Sequence, residues 1–271
     1  MNLRTETNKN KFPSISAIVI AKNEEKKLPD CLKSISWVDE IVVVDTGSVD
    51  STVKIAKGFT SKVVSYTNGG YSQWRNEGLK HSTCRWVLYV DADERVSQEL
   101  KEEILKLVSI KNPEVCAYAI PRKNIILGRF MKHGGWWPDY VKRLFLREKI
   151  KGWKGDLHEE PVYEGNINHI QNPLIHIKHD NLSEMIVKTN KWSVIEARLL
   201  YNSNHPKMVG WRFLRIMLTE LWLRLIKLRG FMDGSEGVIY SFYQMFSKFV
   251  TYAKLWEMQL NSKYSELKDK N

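Results

Sequence analysis

Residues 85–93 read Arg-Trp-Val-Leu-Tyr-Val-Asp-Ala-Asp, an apolar run of the β type that ends abruptly in two carboxylates. On an extended backbone, side chains two positions apart point to the same side, so Asp91 and Asp93 can share one cation. Ligands bind at the carboxyl ends of strands in open α/β sheets, which makes this position a candidate site. The structural alternative is that the two aspartates cap a helix predicted at residues 96–108.

The chain before this stretch alternates between apolar strands and helices. Strands are predicted at residues 15–21, 40–45, 62–66 and 85–90, and helices at residues 24–35, 52–57 and 72–81. Continuous apolar strands that alternate with helices imply an α/β fold with a mainly parallel sheet covered on both faces. Parallel strands bring their carboxyl ends to one edge, so the polar residues that follow them should line one crevice that suits a nucleotide. These residues are Asn23, Glu24, Asp45, Asp91 and Asp93.

Composition limits the class of protein. A chain of 271 residues with 43% hydrophobic content suits one large α/β domain with an appendage, or two small domains. The cysteines at positions 31, 84 and 116 form no CxxC pair, which argues against a disulfide framework or a zinc site and favours the cytoplasm. The first fourteen residues lack the apolar core of a signal peptide, and no run of about 18 uncharged apolar residues occurs. We therefore expect no membrane-spanning segment.

The net charge of +11 is clustered. Residues 121–154 contain ten Lys or Arg against two acidic residues, and residues 207–254 contain eight against three. Nucleic acid, an anionic membrane surface or a phosphorylated substrate could each explain such patches, as could a basic solvated surface. Charge alone leaves these partners open.

Four segments of the N-terminal half carry a more specific pattern. They are residues 17–25 (Ala-Ile-Val-Ile-Ala-Lys-Asn-Glu-Glu), 42–52 (Val-Val-Val-Asp-Thr-Gly-Ser-Val-Asp-Ser-Thr), 73–78 (Gln-Trp-Arg-Asn-Glu-Gly) and 90–95 (Val-Asp-Ala-Asp-Glu-Arg). In this order they resemble the motifs of glycosyltransferase family 2, which has the GT-A fold of nucleotide-diphospho-sugar transferases. Residues 137–145, 157–159 and 227–237 continue the similarity toward the bacterial subgroup of lipopolysaccharide inner-core glucosyltransferases.

The resemblance implies a domain organisation and a donor site. We expect a disordered tail at residues 1–13, a Rossmann-like GT-A catalytic domain at 14–180, and a helical appendage at 181–271 that associates with the membrane or the acceptor. The donor would be a nucleotide-diphosphate sugar, with a UDP-sugar favoured. The residues expected to contact it are Ala21, Asn23, Glu24, Asp45, Arg75, Asn76, Asp91, Ala92 and Arg143. A guanidinium fork such as that of Arg143 suits the oxygens of the diphosphate.

The resemblance also implies Mn²⁺ or Mg²⁺, which would neutralise the departing diphosphate. Asp93 is expected to be the direct ligand, with Asp91 beside it or serving the ribose and the water shell of the metal. In GT-A enzymes a later histidine often completes the metal shell, and His176 or His158 could do so. His176 is also consistent with a purely structural role, because a lone histidine often is.

A displacement at the anomeric carbon needs a base for the acceptor hydroxyl, whereas a metal-bound diphosphate leaves without a general acid. Glu159, in a turn-like segment after the main sheet, is the predicted base, and His158 is the second catalytic candidate. Asp156 and Glu160 compete with Glu159 because they are close in sequence.

Two further features leave alternatives open. The tryptophans at positions 136, 137 and 153 could pack against sugar rings or belong to the core. Helices predicted at 211–228 and 238–258 combine apolar faces with cations, as expected for helices that lie on the inner leaflet of a bilayer. They could instead pack on protein or form a dimer interface, so a homo-oligomer is possible, and Asp233 could cap the second helix.

Together these patterns predict an inverting, metal-dependent hexosyltransferase at the cytoplasmic membrane face, with a lipopolysaccharide-core or other lipid-linked glycan as acceptor. Polyprenyl phosphate or a peptide side chain are the alternative acceptors. A basic nucleic-acid-binding module fits the charge but leaves the four ordered motifs unexplained, so no nucleic-acid partner is expected.

Overall fold

The computed structural model describes residues 14–110, 113–155 and 159–268. The predicted disordered tail at residues 1–13 and two candidate site residues, Asp156 and His158, lie outside the described residues. No helix within the described ranges is both long and apolar enough to cross a membrane.

The described chain forms twelve strands. They are β1 (Ile15–Ala21), β2 (Glu40–Asp45), β3 (Lys62–Ser65), β4 (Trp86–Asp91), β5 (Glu94–Val96), β6 (Val115–Ile126), β7 (Arg129–Phe130), β8 (Tyr140–Leu146), β9 (Ile150–Lys154), β10 (Glu160–Tyr163), β11 (Asn166–His169) and β12 (Leu174–His179). Ten of them join in one sheet with the order β3-β2-β1-β4-β8-β6-β12-β5, in which β7 and β11 both pair with β6. Strands β9 and β10 form a separate hairpin.

Neighbouring strands in the first half of this sheet run parallel. Strand β1 lies between β2 and β4, with Ala21 opposite Asp45 and Ile20 opposite Asp91. Strand β3 extends the parallel set beyond β2, whereas β8 runs antiparallel to both β4 and β6. The mainly parallel α/β class is confirmed, and the register places Asp45 and Asp91 on either side of the end of β1.

Seven α-helices accompany these strands in the described ranges. They are α1 (Leu28–Ser34), α2 (Thr52–Lys57), α3 (Tyr71–His81), α4 (Gln98–Val108), α5 (Leu182–Asn202), α6 (Gly210–Leu221) and α7 (Gly234–Lys268). A π-helical turn (Trp222–Lys227) continues α6, and a 3₁₀ turn (Gly230–Asp233) precedes α7. Helix α4 is capped by Ser97, whose hydroxyl accepts the Leu100 N–H at 3.2 Å. The alternative that the two aspartates cap this helix is therefore wrong.

The two faces of the sheet are covered by different helices, and β1 contributes to both. Ala17 and Val19 belong to the apolar cluster that includes residues of α1 and α4. Ile18 belongs to the opposite cluster with Leu79 of α3. Alternation along an extended strand explains the division, because successive side chains point to opposite faces. Helix α3 approaches β1 closely at Gly78, where a Cβ atom would lie 2.3 Å from a methyl of Ile18.

The chain divides into two compact units. The sheet unit comprises the described residues of Met1–Lys123 and Asp139–His176, and the helical unit comprises those of Asn124–Pro138 and Ile177–Asn271. The predicted division at residue 180 assigned residues 124–138 to the catalytic domain, whereas here they group with the C-terminal helices. Because this segment is an insertion between β6 and β8, a boundary drawn at one point of the sequence cannot describe it.

In the helical unit, α7 packs against α5 and α6. Phe213 of α6 lies 5.9 Å from Phe249 of α7, ring centre to ring centre, and Ile216 joins the same cluster. The opposite side of α6 and its π-helical continuation is a stripe of exposed apolar residues, which we call the α6 stripe. It consists of Trp211, Leu214, Leu218, Trp222 and Ile226, each more than half exposed.

Candidate active site

Asp91 lies at the end of β4 between two arginines. Its Oδ1 accepts a hydrogen bond from Nη2 of Arg75 at 3.0 Å, and its Oδ2 accepts one from Nη2 of Arg143. Both arginine side chains are almost fully buried, at 4% exposed. Burial alone would raise the pKa of Asp91, but the charges of Arg143 and Arg75 hold that pKa well below its usual range. Asp91 is therefore a carboxylate that binds two buried guanidinium cations.

Arg75 joins Asp91 to Glu159. Its Nε and Nη2 both donate to Oε1 of Glu159 at 3.3 Å. The guanidinium also lies over the ring of Trp153, with Cζ 4.8 Å from the ring centre. Stacking and ion pairing together fix a planar guanidinium. Arg75 consequently holds the carboxylate of Glu159 at the same edge of the sheet as Asp91.

Glu94 anchors Arg143 from the other side. It is completely buried, its Oε1 accepts from Nη2 of Arg143 at 2.9 Å, and its Oε2 accepts the backbone N–H of Asp91 at 2.9 Å. Arg122 lies 3.9 Å from Oε1 of Glu94 and donates to Asp139 at 2.8 Å. Each buried charge in this network thus has an oppositely charged partner, which offsets the cost of removing it from water.

Asp93 lies next to His176. Nε2 of His176 lies 3.4 Å from Oδ2 of Asp93, and the two side chains are 8% and 21% exposed. The antiparallel pairing of β12 with β5, in which His176 is opposite Glu94, brings the two residues together. Adjacent ligand atoms of an octahedral ion with bonds of ~2.1 Å are about 3 Å apart, so this pair fits one divalent ion.

No group of three or more His, Cys, Asp or Glu among the described residues could hold a metal ion. Among the described residues, a site built on Asp93 and His176 therefore leaves positions open for further ligands, such as water or substrate oxygens. This suits Mg²⁺ and Mn²⁺, since Mg²⁺ in particular is usually bound through one or two carboxylates together with substrate phosphates. Asp91, which is held by two arginines, is the less suitable ligand of the two aspartates.

Two of the predicted donor residues, Asn23 and Asp45, shape the loops after β1 and β2. Oδ1 of Asn23 accepts the N–H of Val49 at 2.8 Å, and the N–H of Asn23 donates to the Ser48 hydroxyl at 3.0 Å. Asp45 is 4% exposed and accepts the N–H groups of Gly47 and Ser48 at 3.2 Å. The bonds of Asn23 tie the two loops to each other, and those of Asp45 fix the turn after β2. Both residues therefore have a structural role beside any contact with a donor.

The other predicted donor residues contribute mainly through their backbone. The carbonyl of Ala21 accepts a bond from the loop after β2, and that of Ala92 accepts one from Nη1 of Arg95 at 3.0 Å. The N–H of Glu24 donates to the hydroxyl of Thr52 at 2.8 Å. Because both alanine side chains are buried in the core, they can influence a donor only by fixing the backbone.

Asn76, another predicted donor residue, binds the backbone of β9. Its Oδ1 accepts the backbone N–H of Trp153 at 2.7 Å, and its Nδ2 donates to the carbonyl of the same residue at 2.9 Å. This pair of bonds fastens α3 to β9. The side chain of Asn76 thereby supports Trp153, on which Arg75 stacks.

The three tryptophans at positions 136, 137 and 153 have different surroundings. Trp153 is 8% exposed and lies under Arg75, as described above. Trp136 packs against Tyr240 with ring centres 5.3 Å apart, and Lys178 lies 4.3 Å from its ring centre. Trp137 alone of the three is exposed, at 39%. A role for Trp136 and Trp153 in the core agrees with these contacts.

Sequence reasoning missed three residues of the sheet unit. Glu94 is the buried anchor described above, and Nη2 of Arg95 donates to the carbonyl of Lys27 at 2.6 Å, which ties the aspartate turn to the segment after β1. Burial and, to a smaller extent, the nearby site carboxylates raise the pKa of Tyr71 to about 12. Its phenol therefore stays protonated as a potential donor. The only available signal was the adjacency of Glu94 and Arg95 to the two aspartates.

Comparisons with known proteins agree with this geometry. The family model described as glycosyl transferase family 2 matches residues 16–180. A lipopolysaccharide core biosynthesis glycosyltransferase, LpsC, of Rhizobium meliloti strain 1021 is 27% identical over 250 residues, covering 84% of this chain and 89% of that protein. An uncharacterised glycosyltransferase of Rickettsia felis is 28% identical over 263 residues, covering 92% of each.

Among solved structures, a mannosyltransferase of Pyrobaculum calidifontis, in complex with GDP-mannose and Mn²⁺, superposes with a TM-score of 0.54. It is 15% identical in sequence, with 91% of this chain and 88% of that chain covered, and it bears on the fold alone. The fold is that of the GT-A nucleotide-sugar transferases. The chain belongs to glycosyltransferase family 2. It is therefore an enzyme, and not the non-enzymatic nucleic-acid-binding module that its charge left open.

Proposed function

We propose that this chain is an inverting, metal-dependent hexosyltransferase that uses a nucleotide-diphosphate sugar, with UDP-sugars as first candidates, and a lipopolysaccharide-core or other lipid-linked glycan acceptor. One observation carries the proposal. At the carboxyl end of β4, the Asp93–His176 pair adjoins the network in which Arg75 joins Asp91 to Glu159. The acceptor class is supported by the similarity to the Rhizobium protein, which is named for lipopolysaccharide core biosynthesis.

The charged side chains of the site suggest how it would bind the donor. Asp93 and His176 would hold the divalent ion, which when bound supplies positive charge that stabilises the departing diphosphate. Arg75 and Arg143 offer guanidinium groups beside Asp91, where phosphate oxygens can compete with the carboxylate for the same donors. The buried position of both arginines favours strong interactions, since they are shielded from water.

The acceptor half needs one base. The acceptor oxygen attacks the anomeric carbon, the bond from that carbon to the diphosphate oxygen breaks, and the proton of the acceptor hydroxyl passes to Glu159. A single displacement of this kind inverts the configuration at the anomeric carbon. The bonds from Arg75 orient the carboxylate of Glu159 before the acceptor arrives.

The helical unit supports a location at the inner face of the cytoplasmic membrane. The α6 stripe exposes two tryptophans and three aliphatic residues, while residues 207–254 carry eight basic against three acidic residues. An exposed apolar stripe flanked by cations suits the interface of an anionic bilayer. A peripheral enzyme of this kind would meet a lipid-linked acceptor in the plane of the membrane.

The role of Glu159 can be tested by Glu159→Gln, which preserves size and removes the base. We expect the rate of sugar transfer to fall by about 100-fold or more, while the dissociation constant of the nucleotide sugar changes little. Glu160→Gln is the matched control, because Glu160 is adjacent, 60% exposed, and bound to Lys142. Transfer that persists in Glu159→Gln and is lost in Glu160→Gln would move the base to Glu160.

A further inference from the structure

The helical unit contains a buried acid that orients an exposed histidine. Nδ1 of His133 lies 2.8 Å from Oδ1 of Asp233, and the backbone N–H of His133 donates to Oδ2 of the same carboxylate at 2.7 Å. The side chain of Asp233 is 4% exposed and that of His133 is 32% exposed. Because a carboxylate only accepts hydrogen bonds, Nδ1 must donate, and in the neutral ring Nε2 then carries the lone pair.

The backbone around His133 is held from several directions. The N–H of Gly134 donates to the carbonyl of Leu228 at 2.8 Å, and its own carbonyl accepts from Nη1 of Arg224 at 2.9 Å. Gly135 has a φ of +85°, and a Cβ atom there would lie 3.0 Å from a methyl of Leu228. A loop fixed in this way presents its side chains in one arrangement, which lowers the entropy cost of binding a ligand.

The same loop exposes an aromatic surface. The ring of Trp137 is edge-on to that of Phe130, with centres 5.4 Å apart, and Nζ of Lys132 lies 5.8 Å from the centre of the Phe130 ring. Trp137 remains 39% exposed although its neighbour Trp136 is packed against Tyr240. A sugar offers an apolar ring face, on which an exposed indole can pack, and hydroxyl groups, which can donate a hydrogen bond to an imidazole nitrogen. The loop presents both kinds of protein group.

We propose that residues 130–137 form a saccharide-recognition loop for the acceptor. Nε2 of His133 accepts a hydrogen bond from an acceptor hydroxyl, and the ring of Trp137 packs on the apolar face of a sugar ring. The proposal rests on the proposed function and names part of its acceptor site.

The test separates recognition from loop anchoring with His133→Asn. The amide nitrogen of asparagine can replace Nδ1 and keep the bond to Asp233, but the variant has no counterpart of Nε2. With deacylated lipopolysaccharide core oligosaccharide as the acceptor, we expect the acceptor KM to rise by roughly tenfold, the loss of about one hydrogen bond. Hydrolysis of the nucleotide sugar without acceptor and the melting temperature should stay as in the unaltered enzyme.

Trp137→Leu should raise the acceptor KM in the same way, whereas Trp256→Leu, at an indole that is 42% exposed on α7, should not. An acceptor KM within about twofold of the original in both loop variants would overturn the proposal. Absence of transfer by the unaltered enzyme, with donor hydrolysis intact, would overturn the acceptor class and this loop with it. Absence of donor hydrolysis as well would refute the proposed function itself.

Discussion

Replacing Glu94 by glutamine should damage this protein more than its conservative size suggests. The carboxylate of Glu94 is completely buried and binds both the guanidinium of Arg143 and the backbone N–H of Asp91, each at 2.9 Å. Glutamine has one oxygen, so it can accept from only one of these donors. Its amide group would then turn two hydrogens toward the other donor, and Arg143 would lose a buried countercharge.

The size of the effect follows from these contacts. Breaking a buried ion pair by removing one partner costs about 3–5 kcal/mol when the remaining charge is left uncompensated. Arg143 keeps its ion pair with Asp91, so the lower end of this range applies. One retained hydrogen bond in the glutamine variant offsets about 1 kcal/mol of that cost. We therefore expect Glu94→Gln to lower the free energy of unfolding by roughly 2 kcal/mol, and to weaken donor binding because Arg143 is held less firmly.

Urea denaturation followed by tryptophan fluorescence measures the first effect, and the KM for the nucleotide sugar measures the second. The control is Glu148→Gln, at an exposed glutamate in the turn between β8 and β9, which should stay within about 0.5 kcal/mol of the original. A loss of less than about 1 kcal/mol for Glu94→Gln, together with an unchanged donor KM, would refute the anchoring role that we assign to Glu94.

Two further predictions concern acid stability and membrane binding. Burial alone would raise the pKa of Glu40, but bonds from Lys62, Ser16 and Thr83 lower it from 4.5 to about 2. The contribution of ionised Glu40 to the free energy of unfolding should therefore be full above pH 4.5 and be lost as the pH falls toward 2. Glu40→Gln should flatten the dependence of the urea midpoint on pH in this range. An unchanged slope of urea midpoint against pH would contradict this account. Leu218→Glu should abolish flotation of the protein with anionic phosphatidylglycerol vesicles, while Ser183→Glu, which adds the same charge on α5, should not. Vesicle binding that survives Leu218→Glu, with a dimer that dissociates instead, would assign the α6 stripe to self-association.

The part of the site that lies at strand ends could be predicted from sequence. Parallel pairing brings the last residues of β2 and β4 to one edge, and Asp45 and Asp91 are found on either side of β1 as that rule requires. Alternation in residues 174–179 separated His176 from its isoleucine neighbours, and it is buried in the structure. These inferences succeed because period and strand direction are local properties of the chain.

The remaining features depend on contacts between distant residues. Glu94 lies in β5, a strand of three residues that no pattern distinguishes from the start of the following helix. Arg75 meets Glu159 across 84 positions, and His133 meets Asp233 across 100. Neither distance leaves a periodic signal in a single sequence. The same limit explains why the sequence did not reveal the bonds between the amide of Asn76 and the backbone of Trp153 in β9.

The central claim is that Asp93 and His176 hold a divalent ion together with a nucleotide-diphosphate sugar. Isothermal calorimetry of a panel of UDP- and GDP-sugars, with and without Mn²⁺, tests it directly. We expect at least one nucleotide sugar to bind, with an affinity that Mn²⁺ increases by tenfold or more, and we expect Asp93→Asn to remove the effect of Mn²⁺ while retaining weak metal-free binding. Binding that is equally tight with and without Mn²⁺, or that Asp93→Asn leaves unchanged, would contradict the account.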